Sequence, residues 1–149
     1  MDNIDLKIMK LIQKDASLSL DTLSKEVGLS RNACWRRVNI LEKSGVIKGR
    51  VALLSSEKLG FGLTMIVLIK TNQHAKSWLE TFDKVTKRMP EIVSVYRLGG
   101  DIDYMMKIIV KDANAYDETY QRLIKEIEIF DISASFVMET LKDTTELPI

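Results

Sequence analysis

Apolar residues recur every three or four positions through the first third of the chain and gather into short continuous runs after it. Ile4, Ile8, Leu11 and Ile12 keep a helical period, with Asp2 or Asn3 ahead of them as cap. Leu20, Leu23 and Val27 repeat the period behind Ser19, and Gly28 stands where a left-handed residue ends a helix at little cost. Ser30 caps a further helix only two residues later, so the two must cross steeply. In that third helix Cys34, Val38 and Leu41 form an inward stripe, and Gly45 closes it. Val46 to Leu54 then reads as a strand carrying Lys48 and Arg50. Residues 1–54 are expected to form a winged helix-turn-helix unit, and the polar, glycine-bearing stretch 55–62 a linker.

The remainder, 63–149, alternates in a different way. Leu63 to Thr71 is nearly all apolar, as suits a strand buried on both faces. Trp78, Phe82, Val85 and Met89 are spaced for a helix that Pro90 stops. Ile92 to Leu98 and Tyr104 to Val110 are strands around a Gly99–Gly100–Asp101 turn. Tyr116, Tyr120, Leu123, Ile124 and Ile127 mark a second helix, and Ile132 to Leu141 a last strand before a TTELPI tail. The predicted class is therefore α+β, with the helix-turn-helix followed by a βαββαβ ferredoxin-like sandwich. Two helices cover one face of such a sheet. Val, Ile and Met on both faces imply that a second copy covers the other.

Composition changes this picture only through its distribution. The net charge of +1 by itself argues against a polyanionic partner. Residues 1–50, however, hold ten Lys/Arg against six Asp/Glu, and the remainder holds twelve against fifteen. A basic third beside an acidic remainder fits a DNA-reading module carried on something else. Cys34 is the single cysteine, which excludes an intramolecular disulfide or a zinc cluster, and its inward position suits a small apolar residue. His74, the single histidine, falls in a polar stretch and reads as a surface loop residue. No cofactor or metal is expected. No signal pattern or long apolar run is present, so a soluble cytoplasmic, nucleoid-associated protein is expected, with no membrane partner.

Chemistry that suits double-stranded DNA lies on the outer face of the third helix. Ser30, Arg31, Asn32, Trp35, Arg36, Arg37 and Asn39 are the candidates there, because amide and guanidinium groups match base edges and phosphates. Two assignments stay open. Trp35 either meets DNA or packs on a neighbouring helix; Arg37 either meets phosphate or braces Glu42 or an acid of the first helix. Lys48 and Arg50 suit backbone contacts, which add affinity without sequence information. A second constellation is Gly99, Gly100, Asp101 and Asp103. It is either a plain hairpin turn or a cradle whose glycine amides take a carboxylate while an aspartate takes an ammonium group. Met105, Met106 and Met138 read as packing residues.

Four blocks, DNIDLKIMKLIQKDASLS, VGLSRNACWRRVNILEKSGVIKGRVALL, GGDIDYMMKIIVKDANAY and TLKDTTELP, occur in the order and spacing of one family. The chain resembles the Lrp/AsnC, or feast/famine, transcriptional regulators over its whole length. The resemblance implies a homodimer, often assembled into octamers, and a second unit that binds a small amino-acid effector. It also implies that the glycine turn lies between dimers with the last strand nearby, which adds Ser133 and Ser135 to the effector candidates. Thr22 stands where the family often has Glu, and Phe130–Asp131 where it has Pro-Gly, so the turn before the last strand is expected to be of another type. The competing readings are an effector-independent regulator and a haem-pathway decarboxylase of the same two-module build.

Overall fold

The computed structural model describes residues 1–73 and 75–149; the expectation for His74 lies outside the described residues. The chain forms two compact units, residues 1–53 with 142–149, and residues 54–141.

Three helices make the first unit, and local chemistry starts each of them. Helix α1 (Asn3–Lys14) opens on a reciprocal cap. The Asp2 carboxylate accepts from the amides of Ile4 and Asp5, both at 2.9 Å, while the Asp5 carboxylate accepts from the Asp2 amide at 3.0 Å. Helix α2 (Leu20–Val27) starts at Ser19, whose hydroxyl accepts from the Thr22 amide, and ends at Gly28 with φ +72°. Helix α3 (Arg31–Lys43) follows from Ser30, which accepts from the Ala33 amide at 3.3 Å. Ile8, Met9, Leu23, Val27, Cys34, Val38 and Leu41 interlock as the core between them. The tail joins this unit through the Gln13 side-chain amide, which donates to the Leu147 carbonyl at 3.1 Å and accepts from its N–H at 3.0 Å. Residues 142–149 thus group with the helices, although their place in the chain had assigned them to the second unit.

The expected strand from Val46 to Leu54 does not form. A strand is defined by the ladder it shares with a neighbour, and no described residue supplies one here. Only Ile47 turns inward, its amide donating to the Leu41 carbonyl at 3.1 Å. Val51, Leu53 and Leu54 are left in solvent. The 55–62 stretch, expected as a linker, groups with the second unit and contains one 3-10 turn, Glu57–Leu59.

In the second unit the order is β1 (Leu63–Lys70), α4 (Lys76–Arg88), β2 (Ile92–Arg97), β3 (Tyr104–Val110), α5 (Ala113–Glu126) and β4 (Asp131–Phe136). The sheet runs β2-β3-β1-β4 with antiparallel neighbours throughout, as a βαββαβ chain requires when its two halves interleave. Met65, Val67 and Ile69 of β1 and Tyr104, Met106, Ile108 and Val110 of β3 point to the helices and are buried with Phe82, Val85 and Leu123. The alternate residues Ile66, Leu68, Met105 and Ile109 are only half-buried. The expectation of a strand buried on both faces is thus corrected: β1 alternates, because helices lie on one side alone. The last strand is shorter than expected. Beyond Phe136 one further backbone bond forms, Val137 N–H to the Thr64 carbonyl, and Met138 and Leu141 then stand in solvent. Met138 is therefore not a packing residue within this unit. No non-glycine residue has positive φ among the described residues, so the Phe130–Asp131 approach needs no left-handed position.

Candidate functional site

The α3 face is built by exclusion. With Cys34, Val38 and Leu41 turned into the core, helical geometry sends Asn32, Arg36, Asn39 and Lys43 the other way, at i, i+4, i+7 and i+11. Asn32, Arg36 and Lys43 are exposed and Asn39 is half-exposed. Lys43 is the member that the sequence-based list omitted, although its spacing from Arg36 and Asn39 is a sufficient signal. Ser30, Asn32, Ala33, Trp35 and Arg36 line a shallow groove at the start of the helix. Trp35 is 58% exposed, which rules out packing on a neighbouring helix within this unit.

The other guanidinium groups have partners. Arg37 reaches back to the start of α1, pairing with Asp5 at 2.7 Å and Asp2 at 2.8 Å. It thereby completes the acid-brace alternative for that residue. The Asp5 and Asp2 hydrogen bonds push the Arg37 pKa upward. The Asp5 amide and then the Arg37 guanidinium hold the Asp2 carboxyl below the usual aspartate range. Arg31 lies 3.4 Å from Asp21 across the α2–α3 turn, and Arg50 lies 3.0 Å from Glu42, both pairs open to solvent. Exposed pairs of this kind are weak, roughly 0.2–1 kcal/mol, and can be exchanged for phosphate. Lys48 is exposed beside them, on the extended segment rather than on a strand. Burial pushes the Cys34 thiol up and keeps it protonated.

In the second unit the Gly99–Asp103 turn joins β2 to β3 and is closed by the Leu98 amide donating to the Asp103 carbonyl at 2.8 Å. Gly100 has φ +142°, a conformation that a side chain would strain. Asp103 is anchored twice to β1: its amide donates to the Ile69 carbonyl at 3.0 Å, and its carboxylate accepts from the Thr71 amide at 2.8 Å. One of its oxygens is therefore engaged in holding the turn to the sheet. Asp101 is exposed. Ser133 and Ser135 are not drawn into this turn. They lie on β4 opposite Leu68 and Ile66, with β1 between them and β3, which is two strand spacings or about 10 Å from β3. The end of the sheet is stiffened by Trp78, stacked on Phe82 at 5.1 Å, its indole N–H donating to the Glu128 carbonyl at 2.8 Å. An open hollow of about 530 Å³ between α4 and β2 includes Phe82, Ile92, Val95 and Arg97 but none of the turn residues and neither Ser133 nor Ser135. Among the described residues no three His, Cys, Asp or Glu side chains gather as a metal site needs.

Residues 1–48 match the model of a winged helix-turn-helix DNA-binding domain, and residues 64–147 that of the Lrp/AsnC ligand binding domain. The chain is similar to the glutamate uptake regulatory protein of Zymomonas mobilis, with 44% identity over all of this chain and 91% of that one. It is 44% identical to the DNA-binding transcriptional activator DecR of Escherichia coli, over all of this chain and 99% of the relative. Among solved structures, an AsnC family transcriptional regulator from Agrobacterium tumefaciens superposes with a TM-score of 0.95 at 46% identity, over 99% of this chain and 97% of that one. A Neisseria meningitidis transcriptional regulator solved as an L-Met complex gives 0.94 at 32%, over 99% and 96%.

Proposed function

This chain belongs to the Lrp/AsnC family of DNA-binding transcriptional regulators, and we propose that it reads DNA with the outer face of α3, as a homodimer, under control of a small amino acid. The observation that carries the DNA reading is the polar row Asn32, Arg36, Asn39 and Lys43, which faces away from the core and is engaged by no ion pair among the described residues. Asn suits adenine and Arg suits guanine, each bidentate contact discriminating by roughly 1–3 kcal/mol. Ser30, Arg31 and Trp35 flank that row as further base or phosphate contacts, Lys48 and Arg50 add backbone contacts, and Arg37 serves by fixing α1 against α3.

The dimer reading rests on the open sheet face, where Ile66, Leu68, Met105 and Ile109 are only half-buried within one copy. A second sheet laid on it removes that surface from water, and Ser133 and Ser135 fall within the covered area. Dimers pairing further would give the octamer. For the effector, the Gly99 and Gly100 amides and the exposed Asp101 carboxylate match the two charges of one zwitterion, while Asp103 positions the turn. The L-Met carried by the Neisseria relative makes an apolar amino acid the first to try. We read the chain as a regulator without catalytic activity, acting on DNA in the cytoplasm.

The test is binding of fluorescent duplex from the protein's own upstream region against random duplex, with and without millimolar amino acids. Specific binding should weaken with salt by about 0.9 in log K per log unit of salt for each phosphate neutralised. Equal affinity for both duplexes at physiological salt would refute the DNA reading. Indifference to all twenty amino acids would leave an effector-independent regulator.

A further inference from the structure

Helix α3 presents two large apolar side chains to solvent beside its polar row. Trp35 and Ile40 are each 58% exposed, although the unit buries every other large apolar residue of this helix. At about 100° per residue, Asn32, Arg36, Asn39 and Lys43 occupy an arc of about 60°. Trp35 then lies about 40° beyond one edge of that arc and Ile40 about 40° beyond the other. The face is thus a polar strip with an apolar wall on each side.

This arrangement corresponds to the chemistry of one nucleic-acid surface. In the major groove the hydrogen-bonding edges of a base pair are central, whereas the thymine C5-methyl projects to the side, toward the sugar–phosphate wall. A helix whose central residues bond base edges therefore brings its flanking residues to methyl height. Ile40 is one helical turn from Arg36, so the two reach the same or adjacent base pairs. Its branched side chain carries no donor or acceptor and can favour thymine only by contact with the methyl group. Its χ1 is also restricted by β-branching, so little rotamer freedom is lost on contact.

We infer that Ile40 is a specificity-determining residue that reads the methyl group of a thymine next to the base contacted by Arg36. The inference rests on the reading of α3 as the DNA-contacting face, and the experiment separates the two. Duplexes are first selected from a random library by the wild-type full-length protein. Each conserved thymine is then replaced in turn by uracil, which differs only in lacking the methyl. Binding is measured for wild type, Ile40→Ser and Arg36→Ala, with thermal unfolding of each as a check on folding. At one thymine per half-site, uracil should lower wild-type affinity by about fourfold, the factor for withdrawing one methyl-sized group from contact. Ile40→Ser should bind the thymine and uracil duplexes equally well.

Wild-type indifference to every uracil, or full methyl sensitivity retained by Ile40→Ser, would overturn the inference. If Arg36→Ala meanwhile loses affinity, the α3 reading survives and Ile40 alone is wrong. If the library yields no enriched sequence, or if Arg36→Ala binds as wild type does, the proposed DNA face falls and the role of Ile40 with it.

Discussion

In the first unit three helices close over Ile8, Cys34 and Leu41, and α3 is left with the polar row Asn32, Arg36, Asn39 and Lys43 outside and with Trp35 and Ile40 on its flanks. In the second, two helices close over one face of a sheet, and Ile66, Leu68, Met105 and Ile109 are left on the other. Both units bury a core and both have an outer surface with work to do, but the chemistry of what is left outside differs. A helix turns its residues through all directions, so a stripe of three apolar positions leaves most of its circumference for polar groups. A sheet has two faces only, and apolar side chains on the face without helices, here Ile66, Leu68, Met105 and Ile109 around Lys107, suit a partner. The first surface suits a polyanion and the second suits its own kind. Charge follows the same division, with the excess of Lys/Arg confined to residues 1–50.

The sharpest way to break this comparison is to put a charge on the open sheet face. Leu68→Asp should leave the half-exposed position folded but cost several kcal/mol when a second sheet tries to bury it, because an unpaired carboxylate would lose its water. Sedimentation should show a species of one-chain mass at concentrations where wild type is associated, and DNA affinity should fall with it. An unchanged mass would mean that the sheet faces do not meet.

Next in size is Arg36→Ala, expected to weaken binding to a selected duplex by about five- to 150-fold, from the loss of roughly 1–3 kcal/mol of base contact. Its thermal stability and its mass in sedimentation should match wild type, since Arg36 is exposed on the face of α3 turned away from the core. A variant that unfolds early would make Arg36 a structural residue.

Asp103 and Asp101 should separate holding from binding within one turn. Asp103→Ala removes the acceptor of the Thr71 amide and should lower unfolding free energy by about 1–2 kcal/mol. Asp101→Ala should leave stability unchanged and abolish the response to whichever amino acid shifts the melting temperature of wild type. The reverse pattern would exchange the two roles.

The smallest expected effect is in the first unit at low pH. The Asp5 amide and Arg37 depress the Asp2 pKa below its ordinary value near 3.8. The stability this carboxylate contributes is therefore fully present above that value and is lost as pH falls through the lowered one. Arg37→Ala should lower the melting temperature by a few degrees at pH 7, and the gap to wild type should close as pH is taken down toward 2. A gap independent of pH would assign the effect of Arg37 to packing.

Sequence alone was sufficient for whatever depends on near neighbours. The helix starts at Ser19 and Ser30 and the left-handed stop at Gly28 stand where the pattern put them, and Asp2 is one of the two caps it offered for the first helix, because capping bonds span two or three residues. The inward stripe of α3 was legible for the same reason, and with it the candidates Asn32, Arg36 and Asn39. The order of strands and helices followed from their lengths and spacing, and the whole-chain resemblance agreed with it. Tertiary structure decided the matters that join distant positions. It paired Arg37 with Asp2 and Asp5 across 35 and 32 residues, and it took one oxygen of Asp103 for Thr71, 32 residues away. Gln13 joined Leu147 across 134 residues. It also withheld the strand expected at Val46–Leu54. A helix carries its own hydrogen-bond partners four residues along the chain, whereas a strand, an ion pair or a tail has none until something remote in sequence is brought beside it.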